Sequence, residues 1–127
     1  MTVFMLDASA FLAVCYDEIG ADNAVARMPR ALMSAVNASE ALMRGVEKGV
    51  PLTFMRDLLQ AHQVELVSFD ARLAVDAALL RPATRHLGLS FADRACIATA
   101  ISRNATAVTA DRAWVTLDLP CAVELIR

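Results

Sequence analysis

The chain is poor in the residues that interrupt regular structure. It holds four Gly and four Pro among 127 residues, which argues against a loop-rich scaffold. Its three cysteines, Cys15, Cys96 and Cys121, are odd in number and contain no C-x-x-C pair. That argues against a disulfide framework and a thiolate zinc site, and it suits free thiols in a reducing compartment. The two histidines, His62 and His86, stand alone, and the only lysine is Lys48. Long apolar runs are missing as well. A membrane-spanning helix needs roughly 18 consecutive apolar residues, whereas the run Val3-Phe4-Met5-Leu6 already ends at Asp7. With no basic segment ahead of that run, no secretory signal is expected. The expected location is the cytoplasm, with no membrane partner.

Hydrophobic residues are abundant, at 57%, enough for a sizeable core in a domain of this length. Net charge is −2, which taken whole does not suggest a nucleic-acid partner. The balance changes if four acids belong to a metal site. The ten remaining acids then face twelve bases, leaving +2 elsewhere. All of those bases but Lys48 are Arg, whose fork suits phosphate oxygens.

Apolar runs at 3–6, 31–34, 64–69, 106–109 and 122–126 read as short buried strands. Helical patterns separate them at 9–15, 22–28, 37–48, 51–62, 71–80 and 91–103, with a loop or short helix at 81–88 and a short helical stretch after Asp111. Pro51 opens one helix, and Asp70 and Ser90 can cap two others. Strands alternating with helices predict an α/β domain with a mostly parallel sheet of about five strands.

Four acids stand out by position. Asp7 follows the first strand, and Glu40 lies early in the helix after the second. Asp93 lies one turn into the long helix, and Asp111 follows the fourth strand. Open α/β sheets bind ligands beyond the carboxyl ends of their strands, where at least Asp7, Glu40 and Asp111 belong. Each acid also has a plain reading as a helix cap. Asn37-Ala38-Ser39-Glu40 and Ser90-Phe91-Ala92-Asp93 both resemble capping boxes. Capping does not explain why acids should gather at one edge, where they repel one another. A divalent cation removes that difficulty. An all-carboxylate donor set suits Mg²⁺ or Mn²⁺ rather than zinc, and such sites commonly serve phosphodiester hydrolysis.

At these same residues the chain resembles a known family. Met5-Leu6-Asp7-Ala8-Ser9-Ala10, Ser34-Ala35-Val36-Asn37-Ala38-Ser39-Glu40, Leu89-Ser90-Phe91-Ala92-Asp93-Arg94-Ala95-Cys96 and Thr109-Ala110-Asp111-Arg112-Ala113-Trp114 look like the successive acidic motifs of PIN-domain ribonucleases. The nearest likeness is to VapC-type toxins of type II toxin–antitoxin modules. It runs in order through the whole chain as one domain, 1–127, and includes Arg81-Pro82-Ala83-Thr84.

The resemblance implies an α/β/α sandwich and a Mg²⁺- or Mn²⁺-dependent endoribonuclease. It also implies an RNA substrate, a homodimer and a cognate VapB-type antitoxin. Carried over, Asp7, Glu40, Asp93 and Asp111 form the acidic quartet, and Ser9 and Thr109 match small hydroxyl positions near the metal. Ala92 stands where Gly is frequent. Arg94 and Arg112, next to quartet acids, read either as RNA phosphate contacts or as structural partners. Asp70, Asp76, His62 and His86 read as caps or surface residues, and Trp114 and the methionines as core.

Competing readings are another metal-dependent nuclease or phosphatase on a similar sheet, and an inactive PIN-like interaction module. A receiver-like signalling domain would need a Lys on a late strand-end loop, whereas Lys48 falls on a predicted helix.

Overall fold

A computed structural model describes residues 1–127. Five strands form one sheet: β1 Phe4–Leu6, β2 Leu32–Ser34, β3 Glu65–Val67, β4 Thr106–Thr109 and β5 Val123–Leu125. Their order is β3-β2-β1-β4-β5, and all four pairings are parallel. Seven α-helices connect them: α1 Ala8–Tyr16, α2 Ala21–Arg27, α3 Ala35–Glu47, α4 Leu52–Ala61, α5 Ala71–Leu79, α6 Arg81–Thr84 and α7 Phe91–Ser102. Two short 3₁₀ turns, Arg85–Leu87 and Arg112–Thr116, complete the chain.

Local chemistry explains most of these boundaries. The Asp7 carboxylate caps α1 by accepting from the Ala10 N–H, and Asp70 caps α5 through Leu73. Pro51 precedes α4, where a missing N–H does no harm. Ser90 and Asp93 form a full capping box at the start of α7. The other expected box is absent. Helix α3 begins at Ala35, capped by the Ser34 hydroxyl, because β2 passes into it without a loop. Asn37 is therefore inside the helix, and Glu40 lies beyond its first turn. Strand β3 is shorter than its apolar run because its only partner, β2, offers three residues.

Successive strand side chains face opposite sides of the sheet. Leu6, Met33 and Val108 point into a core shared with α1 to α4. Met5, Leu32 and Ala107 point into a second core with α7 and Trp114. Helix α5 covers α7 from outside through Leu73, Ala77 and Ala98. The result is the expected α/β/α sandwich. Burying both faces explains why the strands read as continuous apolar runs rather than alternating ones.

Candidate active site

The chain leaves β1 toward β2 and β3, then returns on the other side of β1 as β4 and β5. The crevice beyond the carboxyl ends of β1 and β4 is thus the topological switch point, where open α/β sheets bind ligands. Asp7 follows β1 directly, and Asp111 stands two residues past β4. The Asp7 N–H donates to the Val108 carbonyl at 3.1 Å, which locks the first acid to both strands.

Asp7 is the buried member of the quartet, only 4% exposed. The Ser9 hydroxyl donates to its Oδ1 at 2.6 Å and the Thr109 hydroxyl to its Oδ2 at 2.5 Å. No Lys or Arg pairs with it. Burial pushes its carboxyl up from 3.8 to about 6, against the hydrogen bonds from Ser9, Thr109 and Ala10, and the charge of Asp93 adds to the rise. The two hydroxyls are themselves held. Ser9 Oγ accepts from the Ala110 N–H at 2.9 Å, and Thr109 Oγ1 accepts from the Asp111 N–H at 3.0 Å. Ser9 and Thr109 therefore link Asp7 to the segment that carries Asp111.

Asp93 is half-buried at the start of α7, and one carboxylate oxygen accepts the Ser90 N–H at 2.9 Å. Asp111 is exposed and caps the 3₁₀ turn through the Ala113 N–H at 3.0 Å. Glu40 enters no ion pair and lines an open groove of about 650 Å³ between α3 and the start of α7, beside Ser90, Phe91 and Ala92. The fold thus brings Asp7 and Asp93 within electrostatic reach of each other. It does not draw three or more acids into a cluster tight enough to enclose an ion unaided.

Sequence reading gave Asn37 only a capping role. Its side chain is 1% exposed and bridges two site segments. Oδ1 accepts from the Ala8 N–H at 3.3 Å, and Nδ2 donates to the Ala92 carbonyl at 3.0 Å. Asn37 thereby ties the residues adjoining Asp7 and Asp93 together. The one available signal was an Asn, a poor helix former, three residues after a Ser able to cap.

Of the two Arg candidates, Arg94 is committed to the fold. It donates to the Ala77 carbonyl at 3.0 Å, and its guanidinium lies 6.0 Å from the Phe91 ring centroid. Arg112 is exposed. Asp70 caps α5, Asp76 lies 4.0 Å from Arg72, and Trp114 is fully buried, as the sequence suggested.

The donor set suits a hard divalent cation. It consists of oxygens, and its most buried carboxylate is pressed by a like charge and has no basic partner. Cys96, buried on α7, is pushed well above the usual thiol range by burial and by Asp7 and Asp93, so it offers no thiolate. Two carboxylates completed by water and substrate phosphate are an ordinary way of holding Mg²⁺.

A family profile for the PIN domain matches residues 4–118. No curated protein sequence matches the chain. Among solved structures it is similar to VapBC2 from Rickettsia felis bound to a promoter DNA fragment, with 20% identity, TM-score 0.72 and 98% of each chain covered. DNA-bound VapBC from Salmonella typhimurium is similar at 19% identity and TM-score 0.72, with both chains covered in full. VapBC-5 from Mycobacterium tuberculosis, of the VapBC family of toxin–antitoxin systems, reaches 27% identity and TM-score 0.63, covering 100% of this chain and 99% of that one. No helix is long and apolar enough to cross a membrane. With the profile spanning most of its length and the site at the switch point of its sheet, the chain belongs to the PIN domain family.

Proposed function

We propose that this protein is a VapC-type toxin, an endoribonuclease that hydrolyses RNA phosphodiester bonds with Mg²⁺ or Mn²⁺. The observation that carries the reading is Asp7, a buried carboxylate without a cationic partner, facing the charge of Asp93 at the switch point of a PIN domain. The similarity to VapBC structures supports the toxin assignment and a VapB-type antitoxin.

Asp7 and Asp93 would hold the cation, with Glu40 and Asp111 at the rim. When bound there, a divalent ion would supply Lewis-acid polarisation of the scissile phosphate and acidification of a nearby water. Ser9 and Thr109 keep both Asp7 oxygens oriented and hold the hydrogen-bond network of the site together. The Glu40 carboxylate, which lines the neighbouring groove and enters no ion pair, would take the proton of the attacking water at a carboxylate oxygen. Exposed Met43, Val46 and Phe54 on α3 and α4, with Val75 and Leu79 on α5, provide apolar surface for the antitoxin and for a homodimer.

The purified protein, incubated with RNA, should cut it with Mg²⁺ or Mn²⁺ and stop in EDTA. Full cleavage in EDTA defeats the metal mechanism. Growth arrest on expression alone, rescued by co-expression of the neighbouring reading frame, is the expected cellular outcome. Harmless expression of a folded, active enzyme defeats the toxin reading and leaves the nuclease reading standing.

A further inference from the structure

We propose that Arg44 and Lys48 form an anion-binding subsite, which holds the backbone of the substrate strand beside the scissile phosphate. The proposal rests on the ribonuclease reading above. Helix α3 carries Glu40 and Arg44 and ends at its C-cap Lys48, so the three follow at successive i,i+4 positions in one row about 6 Å apart along the axis. The row begins at the groove beside Ala92 and runs into a separate channel of about 310 Å³ between α1 and α3. Ser9 lines that channel too, and its hydroxyl donates to Asp7 at 2.6 Å. The channel therefore opens one hydrogen bond away from the buried acid.

The charges in the channel are unequal in availability. Arg127 is engaged, 3.6 Å from Glu18 and donating to the Ile19 carbonyl at 2.8 Å. Arg44 and Lys48 enter no ion pair, and Glu47 is the one unpaired acid beside them. Lys48 Nζ stands 5.0 Å from the centroid of the Tyr16 ring, and the Tyr16 hydroxyl has no hydrogen-bond partner in the fold. Arg44 and Lys48, neither of them in an ion pair, thus share the channel with one unpaired carboxylate, Glu47. A row of cations leading away from a phosphate-cleaving site fits a polyanion whose charges repeat along a strand, which is RNA backbone. Such a contact carries no base specificity, so the subsite would set affinity and strand direction.

The experiment compares wild type with Arg44→Gln/Lys48→Gln in Mn²⁺. It uses a fluorescent single-stranded RNA and reads cleavage kinetics across a salt series. The double variant should raise KM roughly tenfold with kcat little changed, and its log KM against log salt should be shallower by about 1.4. Lys48→Gln alone, at an exposed helix end, should show about half of that change in slope and guards against misfolding of the double variant. Arg44→Lys should keep the wild-type slope. Unchanged KM and salt slope in a double variant that still cuts RNA would overturn the subsite while sparing the ribonuclease reading. Loss of binding to an acidic peptide, with RNA kinetics intact, overturns it too. A wild type that neither binds nor cuts RNA removes the reading on which the proposal rests, and the proposal with it.

Discussion

The Asn37 side-chain amide donates to the Ala92 carbonyl at 3.0 Å, joining two residues 55 positions apart at the edge of the candidate site. Its oxygen holds the Ala8 N–H on the other side. Removing it strands a buried donor at the start of α1, which costs about 1–3 kcal/mol. Asn37→Ala should therefore lower stability by that amount, read from urea unfolding with Trp114 fluorescence as the probe. It should also weaken Mn²⁺ binding, measured by titration calorimetry on the folded protein. Unchanged metal affinity in a destabilised variant would limit Asn37 to a packing role.

Asp7 is expected to weaken the metal-free fold at neutral pH. Its carboxyl has a folded value of about 6 against an ordinary 3.8, so the folded state holds this proton more tightly than the unfolded chain. The stability so contributed is complete below about pH 4 and is lost as pH rises through about 6, a swing of about 3 kcal/mol. Asp7→Asn keeps the shape and an oxygen for the Ala10 and Ser9 donors. The variant should be more stable than wild type at pH 7 without metal, and the advantage should vanish near pH 4. Paired urea titrations at the two pH values measure it. Cleavage should fall by orders of magnitude in the same variant.

Metal should reverse the penalty. Saturating Mn²⁺ should raise the Tm of wild type, since a ligand that binds only the folded state stabilises it. Asp7→Asn and Asp93→Asn should each lose most of that shift. A Tm equally raised in both variants would place the ion elsewhere.

Two capping acids make a discriminating pair. Asp93 caps α7 within electrostatic reach of Asp7, whereas Asp70 caps α5 and takes no part in the hydrogen-bond network around Asp7. Asn can accept the same backbone hydrogen bond in either place, so both variants should fold. Asp93→Asn should abolish RNA cleavage and Asp70→Asn should leave it within about twofold, because a cap outside that network acts on stability alone. Equal loss of activity would assign the site wrongly.

The sequence by itself determined what depends on neighbours along the chain. Apolar runs marked the strands, Ser90 and Asp93 marked their capping box, and the positions of Asp7 and Asp111 after strands put them at the carboxyl edge. Those signals span a few residues and need no partner. It misjudged the start of α3, because whether Ser34 or Asn37 caps the helix depends on β2 running straight into it. Only the tertiary structure decided which polar groups became buried and against what. Asn37 is an ordinary helical Asn until α1 and α7 close around it, and Arg94 adjoins an acid in sequence yet is committed to Ala77 on α5. The raised carboxyl of Asp7 has the same origin. Its residue type is local, but desolvation, the two hydroxyls and the charge of Asp93 come from parts of the chain that meet only on folding.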